Sequence, residues 1–170
     1  MLTKLFRRLT GDSPGPADAL FASITQVARR SGWYREGSIP DTIDGRFAVL
    51  ASVAALVAVR LESLGPEGAG LSATLTGRFA EVMDSEHRQL GLGDPTLGKT
   101  VLKLVGSLAR RVELWGSVDG ANGWEATTKR SLPLDEAPIS AVKFCAGELR
   151  RLDSTLRSRG IDKLAAGEIE

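Results

Sequence analysis

The sequence is poor in the residues that build redox and metal sites. It has one cysteine, Cys145, and one histidine, His87, among 170 residues. A lone cysteine forms no internal disulfide, which suits a reducing compartment, and the apolar neighbours of Cys145 predict a place in the core. Zinc sites need several converging cysteine, histidine or acidic ligands. We therefore expect no metal, no cofactor and no Cys-His nucleophile.

The sequence also lacks an excess of charge of either sign. Lys and Arg total 22 and Asp and Glu total 21, so the formal net charge is +1. Because the two signs are interspersed along the chain, the composition does not predict the basic surface of a nucleic-acid-binding protein. We expect no nucleic-acid partner.

No apolar run is long enough to cross a membrane. Between Arg46 and Arg60 lie thirteen uncharged residues, whereas a spanning helix needs about twenty. Many of the thirteen are alanine. We predict a buried helix that is capped by Asp41 or Thr42 and runs to about Leu64.

Apolar residues elsewhere recur at steps of three and four, which predicts amphipathic helices. The fold class is therefore all-α, a single-domain bundle of about six to seven helices around an apolar central helix. We expect the domain to cover residues 17–160 and a frayed tail to cover residues 161–170. The other predicted helices are 17–33, one carrying Phe79 and Met83, 96–115, 124–129 and 138–160.

Residues 1–16 are expected to form a separate segment. Residues 1–9, MLTKLFRRL, place leucine and phenylalanine on one helical face and basic residues on the other. Such a helix can lie on an anionic membrane or dock on a protein surface. Two prolines and a glycine in residues 12–16 then predict a linker. Residues 1–9 lack the apolar run of a secretory signal, so we do not expect export.

Gly93 to Thr100 satisfies the phosphate-loop pattern G-x-x-x-x-G-K-[ST]. A working phosphate loop follows a buried strand, and its backbone N–H groups wrap the phosphates. The residues before Gly93 instead show a helical stripe that contains Leu75, Phe79 and Met83. The pattern therefore predicts a corner between two helices, with nucleotide binding as the alternative.

The same corner resembles a segment of the ubiquinol-cytochrome c chaperone family, and a second segment upstream supports the resemblance. Residues 39–47, IPDTIDGRF, look like the family's entry into its long apolar helix, and Trp33-Tyr34 before them also fits. Thr100 departs from the family pattern and creates the phosphate-loop match. The matching corner residues are Met83, Asp84, Arg88, Gly91, Gly93, Asp94, Gly98 and Lys99.

The resemblance implies a non-enzymatic assembly factor for the cytochrome bc1 complex. Its client would be newly made cytochrome b, a small second assembly subunit would be a further partner, and residues 1–9 would touch anionic lipid. The implied location is the cytoplasmic face of a bacterial inner membrane, or the matrix side in a mitochondrion. The remaining alternative is a helical oligomerisation module without a cytochrome b client.

The family-matched residues are also the candidate partner-binding residues. In a bundle, the acidic and basic residues of the two segments could meet at one end. They either fix the fold through caps and ion pairs or line a surface that recognises the client. Large aromatics are candidate anchors if exposed, and Trp115 joins Trp33 and Tyr34 in that role. The matched set is Trp33, Tyr34, Asp41, Asp44, Arg46, Asp84, Arg88, Asp94 and Lys99.

Overall fold

The computed structural model describes residues 15–89 and 94–170, without the side chains of residues 87–89, 94–97 and 120–122. The predicted helix over residues 1–9 and most of the predicted linker lie outside these residues. Every regular element in the described part is a helix, as predicted from the sequence. The helices are α1 Pro16–Ala28, α2 Gly32–Arg35, α3 Ile43–Glu62, α4 Pro66–Gln89, α5 Asp94–Gly116, α6 Gly120–Ser131, α7 Ile139–Arg157 and α8 Ile161–Ala165.

Helix α3 corresponds to the long apolar segment of the sequence. Thr42 caps it, because its side-chain oxygen accepts a hydrogen bond from the N–H of Gly45 at 3.1 Å. Twelve of its twenty residues are buried, and α3 packs against α1, α4, α5 and α7. Among the described residues, no helix is long and apolar enough to cross a membrane.

Short connections fix the directions of the long helices. Three residues, 63–65, join α3 to α4, and four residues separate α4 from α5. Adjacent helices with such short connections run antiparallel, so α3 and α5 run in the same direction. Phe47 of α3 packs against Phe79 of α4 with ring centroids 6.0 Å apart. The start of α3 therefore lies beside the second half of α4.

The end of the chain differs from the frayed tail that the sequence predicted. Residues 161–165 form α8, and Leu164 and Ile169 are buried. Arg30, just after α1, forms an ion pair with the side chain of Glu170. Helix α8 packs against α1 and α4. The segment is too short to show a recognisable apolar stripe in the sequence.

Gly167 allows this segment to close on α1. Its φ is +83°, and a Cβ atom there would lie 2.9 Å from the carbonyl oxygen of Ala19. We expect Gly167→Ala to lower the free energy of unfolding by about 2 kcal/mol, because it adds left-handed strain and a backbone clash. Gly65→Ala is the matched control, since Gly65 has the same φ of +83° but open space around it. Urea unfolding followed by circular dichroism measures both, and an equal cost for the two variants would contradict the proposed clash.

Candidate partner-binding site

The turn before α3 holds the first family-like segment in a fixed shape. Ile39 is buried, and Gly45 lies so close to the preceding turn that a Cβ atom would stand 2.0 Å from the carbonyl oxygen of Pro40. Thr42 caps the helix, and Phe47 packs on Phe79. Backbone geometry and packing within the domain account for these residues. Their presence in the segment therefore does not require a role in binding another protein.

Asp41 and Arg46 form an ion pair across this turn. The Arg46 Nε donates to the Asp41 carboxylate at 2.6 Å, and both side chains are more than half exposed. The hydrogen bond from Arg46 lowers the pKa of Asp41 from its ordinary value. Exposed pairs contribute little to stability because water and salt screen them. The pair braces the turn and leaves its outer face open to solvent.

Two residues of the segment remain outside this framework. Ile43 is 66% exposed, although it is a large aliphatic residue, and Asp44 beside it is also exposed. Within the described part of the chain, no hydrogen bond or ion pair involves the Asp44 side chain. Its carboxylate faces the positive end of the α3 dipole, but this role leaves its outer side free for a partner. Ile43 and Asp44 are the candidate contact residues, and we name them the α3 contact pair.

The predicted aromatic anchors have internal roles instead. Trp33 is buried, and its Nε1–H donates to the carbonyl oxygen of Val27 at 2.8 Å. The hydroxyl of half-buried Tyr34 donates to the carbonyl oxygen of Ala28 at 3.0 Å. These bonds satisfy carbonyls at the end of α1 that have no partner within the helix. Trp115 is also buried and packs on Trp124 with centroids 5.4 Å apart. The tryptophan anchors are therefore corrected to core residues.

The second family-like segment lies on α4 and α5. Asp84 is half-buried on α4 and has an interaction partner, whereas Lys99 is exposed on α5. The side chains of Arg88 and Asp94 lie outside the described residues. The start of α3 and the end of α4 occupy the same end of the bundle, as the predicted meeting of the two segments requires. Contact between their charged side chains stays a prediction.

The phosphate-loop alternative conflicts with the position of α5. This helix begins at Asp94, four residues before Gly98. The N–H groups of Gly98, Lys99 and Thr100 therefore lie beyond the first turn, where they bond within the helix rather than face a phosphate. The element that ends at Gln89 is a helix and not a strand. The helices predicted on both sides of residues 90–93 are confirmed, and those four residues lie outside the described part of the chain.

Cys145 occupies the core, as predicted. It is fully buried, and its Sγ lies 3.7 Å from the carbonyl oxygen of Gly37. Burial, with a smaller contribution from Glu148, raises the pKa of the thiol to about 12. A thiol that stays protonated at neutral pH is a poor nucleophile. The described side chains also contain no group of three histidine, cysteine or acidic residues that could hold a metal.

The exposed apolar residues were not predicted from the sequence. Ile43 was treated as part of the helix start, and Leu102, which is 72% exposed on α5, was not singled out. A usable signal was present at Ile43, because it lies among polar capping residues, outside the run that begins at Phe47. Ile139 is similarly exposed as the first residue of α7.

Comparisons with known proteins agree with the family resemblance. Residues 35–114 match the sequence model of the family described as ubiquinol-cytochrome C chaperone. The crystal structure of the Cbp3 homolog from Brucella abortus is similar to this chain, with a TM-score of 0.77 and 27% sequence identity. That similarity covers 100% of this chain and 96% of the other. A comparison with curated proteins returned no match. The resemblance predicted from the sequence is confirmed.

Proposed function

Because the chain carries the sequence pattern of the ubiquinol-cytochrome C chaperones and shares the fold of a Cbp3 homolog, we propose that it is a non-enzymatic assembly chaperone that holds newly made cytochrome b. Residues 35–114 span α3, α4 and most of α5, so the family pattern includes the α3 contact pair. The observation that carries the proposal is this pair, an exposed isoleucine and an exposed carboxylate on a rigid turn.

The chemistry of the α3 contact pair suits a membrane-protein client. Loops on the cytoplasmic side of membrane proteins are rich in Lys and Arg, and unassembled helices expose apolar surface beside them. Asp44 offers a carboxylate for the basic residues, and Ile43 offers apolar surface for the adjacent helix end. The Thr42 cap and the close packing of Gly45 hold the backbone of both residues in place before binding, which reduces the entropy lost on contact.

The place of action follows from the client. We propose that the protein works at the cytoplasmic face of a bacterial inner membrane, or on the matrix side in a mitochondrion, where loops of cytochrome b become accessible. Residues 1–9 supply a basic segment that can touch anionic lipid. A small second assembly subunit is a further proposed partner. None of these interactions requires a nucleotide or a metal.

The test is affinity capture from detergent-solubilised membranes of the native cell. We expect wild-type protein to enrich cytochrome b and the double variant Ile43→Ser/Asp44→Lys to lose about tenfold or more of that enrichment, since contact residues at an interface centre each contribute about 1–2 kcal/mol. Ile139→Ser/Glu136→Lys is the matched control, because it alters an exposed first-turn isoleucine and an exposed acid elsewhere.

The outcomes separate the function from the site. Absence of cytochrome b from the wild-type capture would overturn the proposed function. Enrichment by wild type and by both double variants would keep the function and overturn the α3 contact pair. Lys99→Ala tests the second segment in the same way, and circular dichroism shows whether each variant is folded.

A further inference from the structure

Helix α5 presents a basic face from which the proposed function uses only Lys99, as a candidate partner-binding residue. Lys99, Lys103 and Arg110 are all exposed. At 100° per residue they fall, together with Leu102, within an arc of about 100° on the helix surface. Lys99 and Arg110 stand about 16 Å apart along the axis. We name Lys99, Leu102, Lys103 and Arg110 the α5 basic face.

The end of α6 adds positive charge on a neighbouring side of α5. The guanidinium of Arg111 donates to the carbonyl oxygen of Ser131 at 2.8 Å, so the last turn of α6 lies beside α5. That turn carries exposed Lys129 and Arg130. Burial, with a smaller contribution from the neighbouring Arg110, lowers the pKa of Arg111.

Few carboxylates offset these cations. Glu113 lies one turn beyond Arg110, and half-buried Glu125 lies one turn before Lys129. With Lys99, Lys103, Arg110, Arg111, Lys129 and Arg130, the described side chains of α5 and α6 sum to six cations and two carboxylates, or +4. Helix α4 is different, since exposed Glu81 and Glu86 lie on it and Arg78 pairs with Glu81 at 3.3 Å. The charges of this nearly neutral chain therefore separate between neighbouring helices.

We propose that the α5 basic face binds the surface of an anionic lipid bilayer, with Leu102 inserted among the acyl chains. Leu102 favours a lipid bilayer over single-stranded RNA as the anionic partner. An aliphatic side chain that is 72% exposed and flanked by lysines matches an interfacial helix, in which apolar residues enter the bilayer and basic residues meet headgroups. A surface for single-stranded RNA would instead offer aromatic rings for base stacking. The only aromatic residue of α5, Trp115, is buried.

Apart from Lys99, the contact uses residues outside the proposed client contact, and it would orient the protein on the membrane. Gly106 and Ala109 lie on the same side of α5 and are also exposed. Because both are small, no bulky side chain protrudes between the basic residues there. Without protruding side chains at these positions, the helix can lie flat against lipid headgroups. One basic helix and one leucine bind reversibly, which suits a chaperone that must release its client.

The test is co-sedimentation of the full chain with phosphatidylcholine vesicles that contain or lack about one third phosphatidylglycerol. We expect binding only with the anionic lipid, and we expect Lys99→Gln/Lys103→Gln/Arg110→Gln to lower the partition coefficient by about a hundredfold, at about fivefold per basic residue. Leu102→Gln should lower it by about tenfold. Binding should also fall as salt is raised.

Two matched triple variants complete the test. Arg29→Gln/Arg35→Gln/Lys143→Gln removes the same charge from exposed positions elsewhere and should keep most of the binding. Lys4→Gln/Arg7→Gln/Arg8→Gln removes it from residues 1–9. The proposal is overturned if either triple abolishes binding while the α5 triple does not, or if wild type binds neutral vesicles equally well. It is also overturned if the α5 triple variant binds anionic vesicles as well as wild type does and loses binding only to an RNA oligonucleotide.

Discussion

Replacing Phe79 with alanine is expected to lower the free energy of unfolding by about 3–5 kcal/mol. Phe79 lies on α4 and is fully buried where α4 packs against α1 and α3. Its ring packs against Phe21 with centroids 6.4 Å apart and against Phe47 with centroids 6.0 Å apart. Alanine would remove the apolar contacts of the ring and leave a cavity where three helices meet. Urea or thermal unfolding followed by circular dichroism measures the loss.

Two further variants test whether the loss of stability comes from the cavity at Phe79 or would follow any substitution in the bundle. Phe79→Leu keeps much of the buried area and should cost clearly less than alanine. Leu102→Ala removes a large residue that is 72% exposed and should change stability by no more than about 0.5 kcal/mol. A loss below about 1 kcal/mol for Phe79→Ala would mean that this position is not a centre of the core.

The position of Phe79 in the core could be read from the sequence, because the helical period places Leu75, Phe79 and Met83 on one stripe. All three are buried. The sequence predicted Asp41 or Thr42 as the N-cap of α3, and in the structure it is Thr42. The helix before residue 90 was also predictable, since its apolar stripe excludes a strand. Long amphipathic helices with clear caps carry enough local information to fix their type and most of their bounds.

The region with many glycines was harder to predict. We expected a short helix over residues 124–129, but α6 runs from Gly120 to Ser131. Glycine costs about 1 kcal/mol in a helix interior, which favours a loop in a local analysis. Burial of Thr127, Thr128 and Ser131 and the packing of Trp124 on Trp115 outweigh that cost. Such contacts come from distant residues and leave no periodic signal within the segment.

The candidate site was only partly predictable for a similar reason. The sequence identified the segment 39–47 through the family resemblance, but it did not separate residues that shape the turn from residues that face solvent. The structure assigns Thr42, Gly45 and Phe47 to the first group and the α3 contact pair to the second. The α5 basic face was hidden because acidic and basic residues alternate along the chain and separate only when α4 and α5 fold.

Gly45→Ala is expected to lower the free energy of unfolding by about 3 kcal/mol or more. The added methyl group would stand 2.0 Å from the carbonyl oxygen of Pro40 and 3.3 Å from the side chain of Ile39. The nearest atom belongs to the backbone, so no change of rotamer can relieve the clash. Gly77→Ala is the control, because Gly77 lies in α4 with open space around it. There alanine should stabilise the helix by up to about 1 kcal/mol.

The same substitution tests whether the shape of the turn matters for the α3 contact pair. If the turn moves to accommodate the methyl group, Ile43 and Asp44 move with it, because both lie between Pro40 and Gly45. We therefore expect folded Gly45→Ala protein, assayed at low temperature, to capture less cytochrome b than Gly77→Ala protein. Equal stability of Gly45→Ala and wild type would contradict the close approach at Pro40. Full capture by a destabilised but folded variant would show that the contact pair does not depend on the turn.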